Sequence, residues 1–415
     1  MRRFILTVLI LLFFVPAPIS AAEPTIKAGF IRDGDLWILL NDQEEQVTKT
    51  GQVISQPKWS HDGEWLLYQE KASAEFKEKG EQTEIWAYHI KTKDKKKIFY
   101  DGHSPRWAPN KNIIAFTANG SLNISNLDQF FNVAAGVSTY TWLPDGSGFL
   151  LSSRGVLRPD GWTSAMLFTK NIADDLEDID ILSNVDQFFT LPKEVGMNDN
   201  KVIAVNAGDF AFSPHSKWIS FIVSPTASWA MDSNMLCVIS SDGKEFNVLD
   251  EVVREVGEPK WAPSTDTIAF IAGGGRIVFG FKNKDLKVRE LPASGSYTPT
   301  NYADLDFDWV TNHSIVTSRV KESEWSNDFS KHPLPALYSI NIETNEQRQI
   351  THPPSGLGDY KPQYVDVIDK LVWLRRTSLV DDAGTLWRAN ADGSNAKEWL
   401  QNVESITFYE KAEQS

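Results

Sequence analysis

A sevenfold internal repeat constrains this chain most, because a chain that repeats must fold as an array of like units. The copies are residues 57–63 (PKWSHDG), 105–111 (PRWAPNK), 140–146 (YTWLPDG), 210–216 (FAFSPHS), 259–265 (PKWAPST), 307–313 (FDWVTNH) and 362–368 (PQYVDVI). Each carries an aromatic at its third place: Trp59, Trp107, Trp142, Phe212, Trp261, Trp309 and Tyr364. Successive aromatics are 48, 35, 70, 49, 48 and 55 residues apart.

Most copies continue into a polar turn and then a short apolar run, such as Trp65–Tyr68, Trp218–Phe221 or Leu371–Leu374. These runs are rich in β-branched and aromatic residues and are bounded by turn formers, so they read as strands. A second run follows each one, and often a third after a further turn. The unit is therefore four antiparallel strands, A to D, with the aromatic in A. Four-stranded units at this period predict an all-β chain folded as a β-propeller. The 70-residue step predicts an insertion at about 171–205.

The turn pattern resembles the WD40-like (PD40) repeat of TolB-type propellers, whose blades carry a W-S-P-D-G turn. Trp59-Ser60-His61-Asp62-Gly63, Trp142-Leu143-Pro144-Asp145-Gly146 and Phe212-Ser213-Pro214 carry the resemblance. It spans about residues 28–410, and it implies a fold more than a function, since the motif is a structural turn. The TolB adaptor of Gram-negative bacteria has a separate α/β domain ahead of a six-bladed propeller. Here strands begin soon after residue 22, so that adaptor role is not carried over.

The ends set the blade count. Lys27–Ile31, Asp35–Ile38 and Glu44–Thr48 read as strands B, C and D with no A before them, while Ser405–Tyr409 reads as an A strand with nothing after it. Pairing them removes two open sheet edges and gives eight blades. Seven is the alternative, if one weak unit does not form a blade.

Residues 1–22 read as a secretory signal: Arg2 and Arg3, an apolar stretch from Phe4 to Val15, then Ser20-Ala21-Ala22 at the cleavage site. A retained membrane anchor is the alternative reading. The expected mature chain, residues 23–415, is one propeller domain that is periplasmic, wall-associated or extracellular. No later stretch is long and apolar enough for a transmembrane helix. The single cysteine, Cys237, lies in an apolar run and reads as a buried thiol; one cysteine allows no intrachain disulfide. The net charge of −14 argues against nucleic acid as a partner.

Strand alternation puts the A–B and C–D turns on one face of the disc and the B–C and D–A connections on the other. The first set is tight and several of the second are long: 70–83, 154–163, 225–234, 320–335 and 375–384. Long loops gathered on one face mark it as the binding surface. Of 15 tryptophans, twelve fall in strands. Trp162, Trp229 and Trp325 fall in the long loops, where they read either as lids over their own blades or as recognition anchors.

Acids recur where the chain enters strand A: Asp101, Asp209, Glu258, Asp304, Asp306 and Asp359. They read either as a solvated acidic rim or as a ring at the channel mouth for a cation or a basic segment. Asp304, Asp306 and Asp308 alternate and so are expected on one side of a strand. No calcium-loop spacing is present. Neither is a G-x-S-x-G elbow or an H-E-x-x-H pair. The expectation is a monomeric, non-enzymatic binding module without a cofactor, recognising a protein, peptide or envelope polymer. The alternative is a glycan hydrolase or lyase using carboxylates near the channel.

Overall fold

Strand Thr267–Ala272 is buried along its whole length, and Asn234–Ser240 along all but its last residue, rather than on alternate residues. A sheet packed between two neighbours has no solvent face, so its strands read as continuous apolar runs. The computed structural model, which describes residues 26–74, 80–197, 200–290 and 293–411, sets eight such four-stranded antiparallel sheets around a channel. Strand A is innermost in each. The eight-bladed expectation holds.

The C-terminal strand Ser405–Phe408 is strand A of blade 1. It pairs antiparallel with Lys27–Arg32, with Ala28 opposite Phe408 and Ile31 opposite Ser405. Blades 2 to 8 follow in chain order. Their A strands are Lys58–Trp59, His103–Trp107, Thr139–Trp142, Asn206–Phe212, Lys260–Trp261, Tyr302–Thr311 and Gly358–Val365.

The range 171–205 contains the fourth strand of blade 4 itself, Val185–Thr190, followed by an extra hairpin, Glu194–Met197 with Asn200–Ile203. Val195 and Val202 of that hairpin enter the core between blades 4 and 5. The connection at 70–83 is largely strand: Trp65–Ser73 and Glu81–His89 pair along their length as one long hairpin.

The core is divided. Among the described residues, eight buried apolar clusters occur, and each lies at one junction between neighbouring blades. Cys237 is fully buried in the one between blades 4 and 5, and burial pushes its thiol pKa well up.

The repeat aromatic has a second task besides packing. The indole N–H of Trp107 donates to the Lys58 carbonyl at 3.0 Å, Trp309 to Lys260 at 3.0 Å, Trp261 to Ala211 at 3.2 Å, Trp59 to Thr407 at 3.3 Å and Trp142 to Arg106 at 3.5 Å. In every case the acceptor is the residue just before the aromatic of the preceding blade. Tryptophan alone among the apolar aromatics offers both the bulk and the donor. Phe212 has no donor to offer, and at Tyr364 the backbone N–H bonds to the Asp308 carboxylate of blade 7 instead.

Candidate functional site

Two places draw attention, the channel wall and the B–C loop face. The wall is built from strand A of every blade. Side chains alternate along a strand, so the residue just before each seven-residue motif and the one at its second place both face inward. Glu258 and Lys260, Asp306 and Asp308, and Lys361 and Gln363 are such pairs, and all six line one cavity of about 450 Å³. A neighbouring lobe of about 270 Å³, lined by Arg106, Asp209 and Phe210, shares Arg254, Gly257 and Glu258 with it.

Several A strands bulge just ahead of the motif. Their register shifts between His103 and Arg106, Gly208 and Ala211, Asp304 and Asp306, and Tyr360 and Gln363. Ser104, Asp209 and Lys361 adopt left-handed backbone there, at φ 50°, 54° and 50°. A bulge re-aims the side chains on either side of it. Asp304 and Asp306 therefore do not share a side of the strand, as plain alternation would have it. Asp304 is fully buried inside blade 7, and Asp306 lines the channel.

The six acids divide accordingly. Asp304 accepts from Arg319 Nε at 2.7 Å and Nη2 at 2.9 Å, with Thr317 Oγ1 at 2.9 Å. Asp359 holds the same fork in blade 8, from Arg375 at 2.7 and 2.9 Å. Each arginine sits directly across the A–B ladder from its aspartate. Asp101 accepts the Thr83 backbone N–H at 3.2 Å and helps anchor strand C of blade 2. Asp209, Glu258 and Asp306 line the channel.

Bases line it too, so the wall carries both signs of charge. Arg254 pairs with Asp209 at 2.7 Å. Lys260 donates to Asp308 at 3.0 Å and to the Phe307 carbonyl at 2.8 Å. Lys58 donates to the Pro105 carbonyl at 2.9 Å. These groups touch water in the channel but have protein on every side, and poor hydration shifts their titration. Burial, with Arg106 nearby, brings the Lys58 pKa down to about 8. Burial lifts the Asp306 carboxyl above its usual range against the pull of Lys260. Burial and Arg376 lower Lys361.

The three loop tryptophans also part company. Trp325 is half-buried over the core between blades 6 and 7, its ring 4.2 Å from His332 and 6.0 Å from Phe281. Trp162 is half-buried on a small hairpin, Leu157–Arg158 with Gly161–Trp162. Trp229 opens a single helical turn, Trp229–Asp232, and is 67% exposed.

Beside Trp229 stand residues that the sequence reading passed over. The B–C loops of blades 5, 6 and 7 are tied together. Arg276 Nε donates to Asp232 at 2.6 Å, the Gly275 N–H to the Asp232 carbonyl at 2.7 Å, and Phe281 exchanges backbone hydrogen bonds with Ser323. The linked loops hold Trp229, Met231, Val278, Phe279 and Phe329 in water. One signal for Phe279 was available: an apolar Ile277-Val278-Phe279 run just after Gly273-Gly274-Gly275, placed in a connection rather than a strand. Among the described residues, no three His, Cys, Asp or Glu side chains converge as a metal site.

No protein-family model and no curated protein match the sequence. Solved structures match the fold. Dihydro-heme d1 dehydrogenase NirN, in complex with DHE, superposes over 95% of this chain and 77% of its own, with a TM-score of 0.56 at 13% identity. A eukaryotic initiation factor does so over 94% and 91%, at 0.55 and 11%. TolB from Acinetobacter baumannii is 15% identical over 64% of this chain, with a TM-score of 0.38, and the chain spans 60% of its length. Likeness at such identities establishes the fold alone. The chain is an eight-bladed β-propeller repeat protein whose blade turns resemble those of TolB-type propellers.

Proposed function

We propose that this propeller is an exported, non-enzymatic binding module that recognises a protein, peptide or envelope polymer through its B–C loop face. One observation carries the reading: three neighbouring loops are locked to one another and hold Trp229, Met231, Val278, Phe279 and Phe329 exposed. A rigid apolar ridge in water costs solubility unless something covers it, and preset loops lower the entropy lost on binding. The described chain also enters and leaves at the opposite face. Ile26 lies against Asn41 in a C–D turn, and the Tyr409 hydroxyl donates to His61 in an A–B turn. Export rests on residues 1–22, which lie outside the described residues.

The test is affinity capture from the producing cell's own surface, with wild type beside a Trp229→Ala/Phe279→Ala double variant. The wild type should retain a partner and the double variant should lose it with its thermal midpoint unchanged. Equal capture by both would remove the ridge from the reading. Sequencing the N-terminus of the mature protein tests export, with cleavage after Ala22 as the expected result.

A further inference from the structure

We propose that Met231 is a site of oxidation, where a hydroperoxide converts the thioether to the sulfoxide beside Arg276 and makes one of the ridge's apolar side chains polar. The effect on recognition rests on the reading of the ridge as a binding surface; the chemistry at the sulfur does not.

The chain has five methionines. Met1 lies outside the described residues. Met235 is buried in strand C of blade 5, and Met166 is half-buried in strand C of blade 4. Met197, on the extra hairpin, is 38% exposed, and Met231 is 52% exposed. Exposure decides which thioethers a dissolved oxidant can reach. Met231 differs from Met197 in its neighbour. Arg276 Nη1 stands 3.6 Å from the Met231 sulfur. The Nε of the same guanidinium is held by Asp232 at 2.6 Å, and its Cζ lies 5.4 Å from the centre of the Phe279 ring. The cation is therefore fixed beside the sulfur. Among the described residues, no hydrogen-bond donor stands at the Met197 sulfur.

The step balances with one molecule of hydrogen peroxide. A sulfur lone pair attacks one peroxide oxygen, and the S–O bond forms as the O–O bond breaks. The departing oxygen takes the proton of the transferred one and leaves as water. Sulfur gives up two electrons and the peroxide takes them. Negative charge gathers on the departing oxygen, and a preset N–H donor stabilises charge that develops in this way. The thioether has a second lone pair, so the long contact with Nη1 leaves one free to react. The product suits the same surroundings. A thioether is a weak acceptor, whereas a sulfoxide oxygen beside a guanidinium accepts a charge-assisted hydrogen bond, and Arg276 gives up nothing because Nε keeps Asp232. Oxidation thus places a polar, chiral group on the ridge that also carries Trp229, Val278, Phe279 and Phe329.

The experiment treats the whole folded protein with dilute hydrogen peroxide and follows each methionine by mass spectrometry of its peptides. Cys237, sealed between blades 4 and 5, should stay unmodified while the fold is closed. Met231 should gain oxygen about threefold to tenfold faster than Met197, the range set by one hydrogen bond. Arg276→Gln should bring Met231 down toward the Met197 rate. Equal rates at the two methionines, or a Met231 rate that Arg276→Gln leaves unchanged or raises, would overturn the site. Affinity capture is then repeated with peroxide-treated wild type and Met231→Leu. The wild type should lose its partner on oxidation and regain it after treatment with methionine sulfoxide reductases, which restore the thioether; Met231→Leu should keep it throughout. Equal capture by wild type before and after oxidation would overturn the effect on recognition. If the Trp229→Ala/Phe279→Ala variant also captures as much as wild type, the failure belongs to the ridge reading instead.

Discussion

Asp304 and Asp306 stand two residues apart on one strand in opposite surroundings. Asp304 is sealed inside blade 7, forked by Arg319 and held by Thr317. Asp306 stands on the channel wall, where its neighbour's N–H is its one hydrogen-bond partner among the described residues. Blade 8 repeats the contrast, with Asp359 forked by Arg375 and Lys361 on the wall. The same residue type, at the same end of the same strand, serves structure in one place and is left available in the next. A one-residue bulge separates the two outcomes.

The contrast is sharpest for the sealed pair. Arg319→Ala leaves Asp304 buried without its cation and should cost about 3–5 kcal/mol, read by urea unfolding. The double variant Asp304→Asn/Arg319→Met removes both charges together and should cost distinctly less. A single-variant cost no greater than that of the double would break the distinction drawn here. A smaller effect is expected at the blade junctions. Trp309→Phe keeps the ring but removes its donor to the Lys260 carbonyl, and should cost about 1 kcal/mol by the same measurement, whereas Phe212→Tyr has no such bond to lose.

No loss of stability is expected in the channel. Asp306→Asn should be at least as stable as wild type at pH 7. The sign follows from linkage. The Asp306 pKa is higher in the fold than in the unfolded chain, so its contribution is fully present below the ordinary carboxylate pKa and is lost as pH rises through the raised value. The gap between variant and wild type should therefore open on going from acid to neutral pH. A gap that closes instead would place Asp306 among the stabilising acids with Asp304.

Blade number, the composite first blade and the aromatic of strand A were legible because each depends on local pattern. Apolar runs of strand length, turn formers and a repeated aromatic occur within a few residues of one another. Cys237 was legible for the same reason. The division of the acids was not, because alternation puts Asp304, Asp306 and Asp308 on one side, and nothing in Leu305 announces the bulge that parts them. A clue lay in strand B: Arg319 and Arg375 face Asp304 and Asp359 across the ladder, whereas Ile222, beside Gly208 and Asp209, offers no cation. The burial of Trp325 and the exposure of Trp229 depend on contacts with other blades, such as the 18° stack of Trp325 on Phe281.

By itself, then, the sequence determined the array: eight four-stranded units, closed by the last strand on the first, with tryptophan where blade meets blade. Those features follow from strand periodicity and from removing open sheet edges, which act over short distances or on chain ends that have one available partner. Only the tertiary structure decided which charges are sealed and which face the channel, and which aromatics cover a core and which stand in water. A single inserted residue reverses the side a chain presents, and three loops from different blades form one ridge only once the ring has closed.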